Sequence, residues 1–138
     1  KEPMVLPVFR NDRLRVQAIT VEHGPLPAVA FRIEAAGKTV VFSGDTNGNG
    51  KNLETLAAGA DLFVAHNAVP EGAGGVERAL HMPPSVIGAI AQGAKVKHLL
   101  LSHRMLRTLG KEEESLAAIR KSYAGPVNYA DDLSCFRL

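Results

Sequence analysis

Thr39-Val40-Val41-Phe42-Ser43-Gly44-Asp45-Thr46 is the stretch on which the fold turns. Residues 39–42 are β-branched and aromatic and read as a short strand. Gly44 then lets the backbone bend sharply, Asp45 can present both carboxylate oxygens past the strand end, and Ser43 and Thr46 can hydrogen-bond to hold it. Alone, the turn also reads as an Asx-type cap on the next element. Its surroundings weigh the two readings.

Upstream, residues 28–34 form another strand and Ala36-Gly37-Lys38 a tight turn, so this strand and 39–42 pair as a hairpin. Residues 14–21 alternate, with Leu14, Val16, Ala18 and Thr20 on one face and Arg15, Gln17, Ile19 and Val21 on the other. Between these strands Glu22-His23-Gly24-Pro25-Leu26-Pro27 is expected to be irregular, because proline removes ladder donors. Residues 4–9 are an apolar run broken by Pro7 that suits an edge strand. Downstream the pattern changes. A glycine- and asparagine-rich loop at 47–50 leads to a helix over 52–58, a strand over 61–65 and a loop over 70–75. A helix over 85–92 follows, with Pro83 and Pro84 at its first turn. Then come a strand over 96–101, a helix over 112–123, and closing strands over 127–129 and 133–136. Strands first, then strand and helix in alternation, give an α/β fold with a mixed sheet.

The 138 residues fit one modest domain, and 46% apolar with 22% charged residues is the balance of a folded chain rather than a disordered one. No stretch approaches the roughly 18 consecutive apolar residues that a bilayer span needs. A net charge of +2 does not by itself imply a nucleic-acid or anionic-membrane partner. Arg104, Arg107 and Lys111 form a loose basic cluster, read as a solvated loop and helix start. Cys135 is the lone cysteine, so no internal disulfide forms, and its apolar run makes it a buried strand thiol. The chain starts at Lys1 without an initiator methionine, so the expectation is that it begins partway through a longer protein.

Three polar residues fall at strand ends: His23, Asp45 and His103. Ligands gather at strand ends in α/β folds, where the sheet fixes the backbone and the loops are free to vary. Imidazole and carboxylate are donors that zinc, iron and manganese accept. A lone histidine is more often a core or surface residue; several at successive strand ends shift the balance toward ligands.

Five segments in order resemble the metallo-β-lactamase superfamily, in particular its ribonuclease Z and arylsulfatase-like branch. The stretch 39–46 looks like its aspartate motif, and Glu22-His23-Gly24 with the strand to Ile33 is similar to its third motif. Asp61-Leu62-Phe63-Val64-Ala65-His66 resembles the strand and histidine that follow the aspartate. Leu80-His81-Met82-Pro83-Pro84-Ser85 resembles the histidine segment leading into a helix, and Leu99-Leu100-Leu101-Ser102-His103-Arg104 the last metal histidine. The resemblance implies the C-terminal half of an αββα sandwich, with helices on one face of a mixed sheet and residues 1–138 forming a single partial domain. It implies that His23 ligates one ion, His103 a second, and that Asp45 bridges them. His81 would then serve catalysis, with Asp45, as donor to the leaving group, while His66, Ser43 and Thr46 support the ligands from behind. Two divalent ions are implied for the whole fold, zinc first with manganese or iron open, held weakly or partially by this chain. The physical logic is that two cations lower the pKa of a shared water and polarise the scissile ester.

The family's His-x-His-x-Asp-His box, which supplies most remaining ligands, is absent from the sequence. The reading is therefore a fragment of a metal-dependent hydrolase, inactive alone, that self-associates or pairs with its missing N-terminal half. The short turn at 34–38, Met82-Pro83 after His81, Asn67 where the family commonly has glutamate, and the weak charge all argue against nucleic acid and for a small sulfate, phosphate or carboxylic ester. Two alternatives stand: a non-catalytic binding or assembly module of the same half-fold, and a ribonuclease processing tRNA 3′ ends. Membrane association is not expected, and the compartment is not indicated.

Overall fold

The computed structural model describes residues 2–138. Seven strands lie side by side in chain order: β1 (Leu6–Arg10), β2 (Leu14–His23), β3 (Leu26–Ala35), β4 (Lys38–Phe42), β5 (Leu62–His66), β6 (Leu99–Ser102) and β7 (Val127–Tyr129). The first four pair antiparallel and the last four, from β4 onward, pair parallel. Four helices occupy the later connections: α1 (Asn52–Ala57), α2 (Gly75–Leu80), α3 (Pro84–Gly93) and α4 (Glu112–Arg120). This is the expected α/β architecture. Hairpins make the antiparallel half, and helical crossovers, which parallel neighbours require, make the other.

Residues 22–27 are not irregular. The β2–β3 ladder runs from Leu14 opposite Ala35 to Glu22 opposite Pro27 and His23 opposite Leu26. Gly24, at φ +57°, reverses the chain with Pro25, so both prolines are accommodated at the hairpin end. The β3–β4 hairpin closes on Ala36 and Gly37, both at positive φ, as a two-residue turn matching strand twist requires.

Alternation along each strand divides the sheet into two faces. Ile19, Ala30, Val41, Phe63, Leu99 and Leu101 point to the helical side, where Leu53 and Leu56 of α1, Ile87 and Ile90 of α3 and Ile119 of α4 complete one core. Full burial of each such side chain contributes about 1.5–3 kcal/mol. Gly88 brings α3 hard against α4: a Cβ there would lie 2.6 Å from the Ile119 carbonyl oxygen. The opposite face carries Val29, Phe31 and Phe42, with Phe31 directly across from Phe42, and they are 42%, 37% and 42% exposed.

Two expectations are corrected. Residues 133–136 form no strand, because Asp131 and Ser134 bond to each other through backbone and hydroxyl, which offers the chain a local turn in place of a ladder. Leu133 and Cys135 are accordingly exposed, so the cysteine is not a buried strand thiol. The short helix α2 was also not foreseen. It buries none of its residues and so writes no apolar stripe into the sequence.

Candidate metal centre

β2, β4, β5 and β6 all run in the same direction, so their C-terminal ends share one edge of the sheet. His23 ends β2, Asp45 follows β4, His66 ends β5 and His103 follows β6. His81 follows α2, whose C-terminus is brought to the same edge.

Two of the imidazoles, His23 and His66, are oriented from behind. His23 Nδ1 lies 2.7 Å from the Leu80 carbonyl oxygen. A carbonyl only accepts, so Nδ1 carries the proton and Nε2 presents its lone pair. His66 Nδ1 likewise donates to the Gly44 carbonyl at 2.9 Å, and its backbone N–H donates to Ser43 Oγ at 3.2 Å. Ser43 Oγ in turn donates to the Gly44 carbonyl at 2.7 Å. Gly44 stands at φ +59°, and a Cβ there would meet the Val29 carbonyl oxygen at 2.4 Å, so no other residue fits. Asp45 Oδ1 and His103 Nε2 are 3.6 Å apart, both partly exposed. His103 adopts φ +50°, a strained backbone for a histidine of the kind found at functional sites.

The His81 ring lies 5.1 Å from that of His23 and 5.2 Å from that of His66. His81 is also close enough to Asp45, His23 and His103 to feel their charges, which makes it the common neighbour of the three candidate ligands. Burial lowers its pKa, partly offset by Asp45. Burial likewise pushes His66 down to about 4, with Asp45 opposing. Both rings are therefore neutral near pH 7, the form in which imidazole accepts a cation.

The donor chemistry fits divalent cations: His23 Nε2, the Asp45 carboxylate and the His103 imidazole are hard-to-borderline donors, and His23 is oriented by an outer hydrogen bond. Four buried side-chain atoms at or beside this edge have no partner: His66 Nε2, His81 Nδ1, and Asn67 Nδ2 and Oδ1. Leaving such an atom unpaired costs about 1–3 kcal/mol, so polar partners are accommodated there. Among the described residues, however, no group of three or more His, Cys, Asp or Glu is arranged to hold an ion by itself. The structure pairs Asp45 with His103 and His23 with His81 instead of closing the three candidate ligands on one point.

Two members of the basic cluster, Arg104 and Arg107, are engaged within the fold, while Lys111 is exposed. Arg104 bonds Glu112 and Asp131 and lies over the Tyr129 ring, bracing the residue after His103 against α4 and the C-terminal segment. Arg107 donates to the Ala68 carbonyl at 2.6 Å and to Glu77 at 3.0 Å. Residues 104 and 107 thus hold the rim of the site. The buried Asn47 escaped the sequence reading; asparagine in a loop looks like any turn former.

Architecture and edge together define a mixed-sheet α/β half-sandwich with a histidine- and aspartate-bearing strand edge. The family model described as the beta-lactamase superfamily domain matches residues 5–104, and the chain belongs to this metallo-β-lactamase superfamily. Ribonuclease Z of Mycolicibacterium paratuberculosis is 30% identical over 137 residues, covering 92% of this chain and 48% of the relative. The chain thus spans about half the length of that relative. The metallo-β-lactamase fold protein YhfI from Bacillus subtilis superposes with TM-score 0.78 at 24% identity, covering 91% of this chain and 49% of that one. Human tRNase Z, short form, gives 0.70 at 20%, covering 93% and 44%. Zn(2+)-bound PqqB from Methylobacterium extorquens gives 0.64 at 15%, covering 89% and 50%.

These relatives correct one expectation. Nucleic acid had been set aside as a partner in favour of a small ester, yet the matched relative is a ribonuclease. Net charge misled because it sums over the whole chain, whereas phosphate recognition depends on local cations.

Proposed function

We propose that this chain supplies one side of a divalent-metal hydrolase site that cleaves a phosphate ester in RNA, in company with the other half of an αββα domain. His23 and His103 would each hold an ion through imidazole nitrogen, with the Asp45 carboxylate as the shared ligand. Bound there, the ions supply Lewis acidity at the scissile ester and lower the pKa of water. His81, kept neutral by burial, donates its imidazole N–H toward the leaving oxygen. His66 and Ser43 hold the Gly44 turn and hence the aim of Asp45, and Thr46 ties the following loop back to Glu22.

The observation that carries the reading is His23. Its Nδ1 is committed to the Leu80 carbonyl, the arrangement that frees Nε2 for a cation and is typical of metal-ligating histidine. The ribonuclease Z name of the relative and the tRNase Z title of the structural neighbour support RNA as substrate, and Zn(2+)-bound PqqB supports zinc.

The test is cleavage of a tRNA precursor by this chain joined to the other half of a family domain, with zinc or manganese supplied. Cleavage is expected, with little turnover from the 138-residue chain alone. Asp45→Ala is expected to reduce it by more than about 100-fold, beyond what loss of an outer partner costs. Cleavage that survives Asp45→Ala and His103→Ala together would refute the proposal.

A further inference from the structure

The loops that carry His23, Asp45 and His81 are tied through one buried side chain that none of the motifs includes. Asn47 is 2% exposed and uses every polar atom it has. Its Nδ2 donates to Glu22 Oε1 at 2.8 Å and to the Ala79 carbonyl at 3.0 Å. Its Oδ1 accepts the Asn49 backbone N–H at 2.9 Å. Its own backbone N–H donates to the Glu22 carbonyl at 2.8 Å, and its carbonyl accepts from the Arg78 guanidinium at 2.9 Å.

Glu22 braces the same hub. Its carboxylate also accepts from Asn49 Nδ2 at 3.1 Å, and its carbonyl accepts from Thr46 Oγ1 at 2.8 Å. Three connections follow from chain position. Glu22 immediately precedes His23, Asn47 stands two residues after Asp45, and Ala79 immediately precedes Leu80, whose carbonyl fixes His23 Nδ1. Ala79 also stands two residues before His81.

We propose that Asn47, braced by Glu22, is a positioning residue that fixes the tautomer of His23 and the spacing of His23, Asp45 and His81. This rests on the metal-site reading above. The mechanism is mechanical. Asn47 holds α2 against the end of β2, so the Leu80 carbonyl stays within reach of His23 Nδ1. Released, α2 has no buried residue to fix it and keeps only polar ties at its surface, Glu77 to Arg107 and Arg78 to the residue 47 carbonyl, which leave the Leu80 carbonyl free to shift. The His23 ring then loses its acceptor, and the proton is free to move to Nε2, which removes the lone pair a cation needs.

The experiment reads the imidazole ¹⁵N resonances of the 138-residue chain alongside its zinc affinity and thermal unfolding. In the unaltered protein His23 is expected as the Nδ1–H tautomer. Asn47→Ala and Glu22→Ala are expected to populate Nε2–H and to weaken zinc binding roughly 10–100-fold. Glu22→Gln keeps an acceptor oxygen for both asparagine amides and is expected to restore tautomer and affinity. Should Asn47→Ala fail to fold, the two Glu22 variants decide the matter. A His23 tautomer unchanged in folded Glu22→Ala, or lost equally in Glu22→Gln, overturns the proposal. A tautomer that responds as expected in a chain that takes up no zinc sustains the positioning role, and zinc uptake is then read in this chain joined to the other half of a family domain, where its absence sinks the metal reading instead.

Discussion

At the scale of single residues, His23 and His66 are tied to backbone carbonyls behind their rings, and His66 shows what that requires. Its ring is buried, donates to the Gly44 carbonyl, and has a pKa pushed down to about 4 by burial. In the unfolded chain the same group titrates near 6.5. Between those values the unfolded state binds the extra proton, so stability is full above about 6.5 and falls as pH drops toward the folded value. The whole difference is on the order of 3 kcal/mol. Denaturant unfolding at pH 7 and pH 5 is expected to show the loss under way, and His66→Asn, which keeps a short side-chain N–H donor, should flatten it. Identical pH slopes for the two proteins would show that His66 is not the group responsible. Asp45 and His103 stood out in the sequence because each follows closely on a clear strand. Asn47 was not, since nothing local separates an asparagine that joins three loops from one that merely turns the chain.

At the scale of elements, the parallel half of the sheet depends on close helix packing, and the α3–α4 contact is its tightest point. A Cβ on Gly88 would lie 2.6 Å from the Ile119 carbonyl oxygen and 2.9 Å from its Cα, backbone atoms that cannot swing aside. Gly88→Ala is therefore expected to destabilise the chain by roughly 1–3 kcal/mol despite the higher helix propensity of alanine. Thermal or urea unfolding reads this directly, and an unchanged or raised midpoint would contradict the packing. β2 to β4, α1, α3 and α4 were readable because each buries one face, and β5 and β6 because each is a short apolar run buried on both. The helix α2 and the end of the β2–β3 hairpin were not. Their conformation is set by Asn47, Arg78 and His23 reaching across from or to other segments, and such bonds leave no period in the sequence.

At the scale of the whole molecule, the sheet is covered on one side only. Phe31 and Phe42 face away from the helices as a cross-strand pair, while their neighbours Ala30 and Val41 are fully buried on the other side. Side chains already well exposed contribute little to folding, so Phe31→Thr with Phe42→Thr is expected to shift the unfolding free energy by less than about 1 kcal/mol. The same change should sharply reduce binding of an apolar fluorescent dye, because a contiguous apolar patch is what such a probe reports. A large loss of stability in the double variant would mean that this face is packed within the chain.

The sequence by itself determined the α/β class, the β3–β4 hairpin, and the residue types that end the site-bearing strands. These are local matters: alternation, turn chemistry and one-face burial act over a few residues and are written where they act. Only the tertiary structure decided which nitrogen of His23 is protonated, that Asp45 meets His103 rather than His23, that Arg104 and Arg107 brace the rim, and that residues 133–136 leave the sheet. The outcomes at His23, Asp45 and Arg107 depend on partners tens of residues away that no pattern within a short window can name, and the turn at 131–134 rests on a side-chain bond that competes locally with a strand.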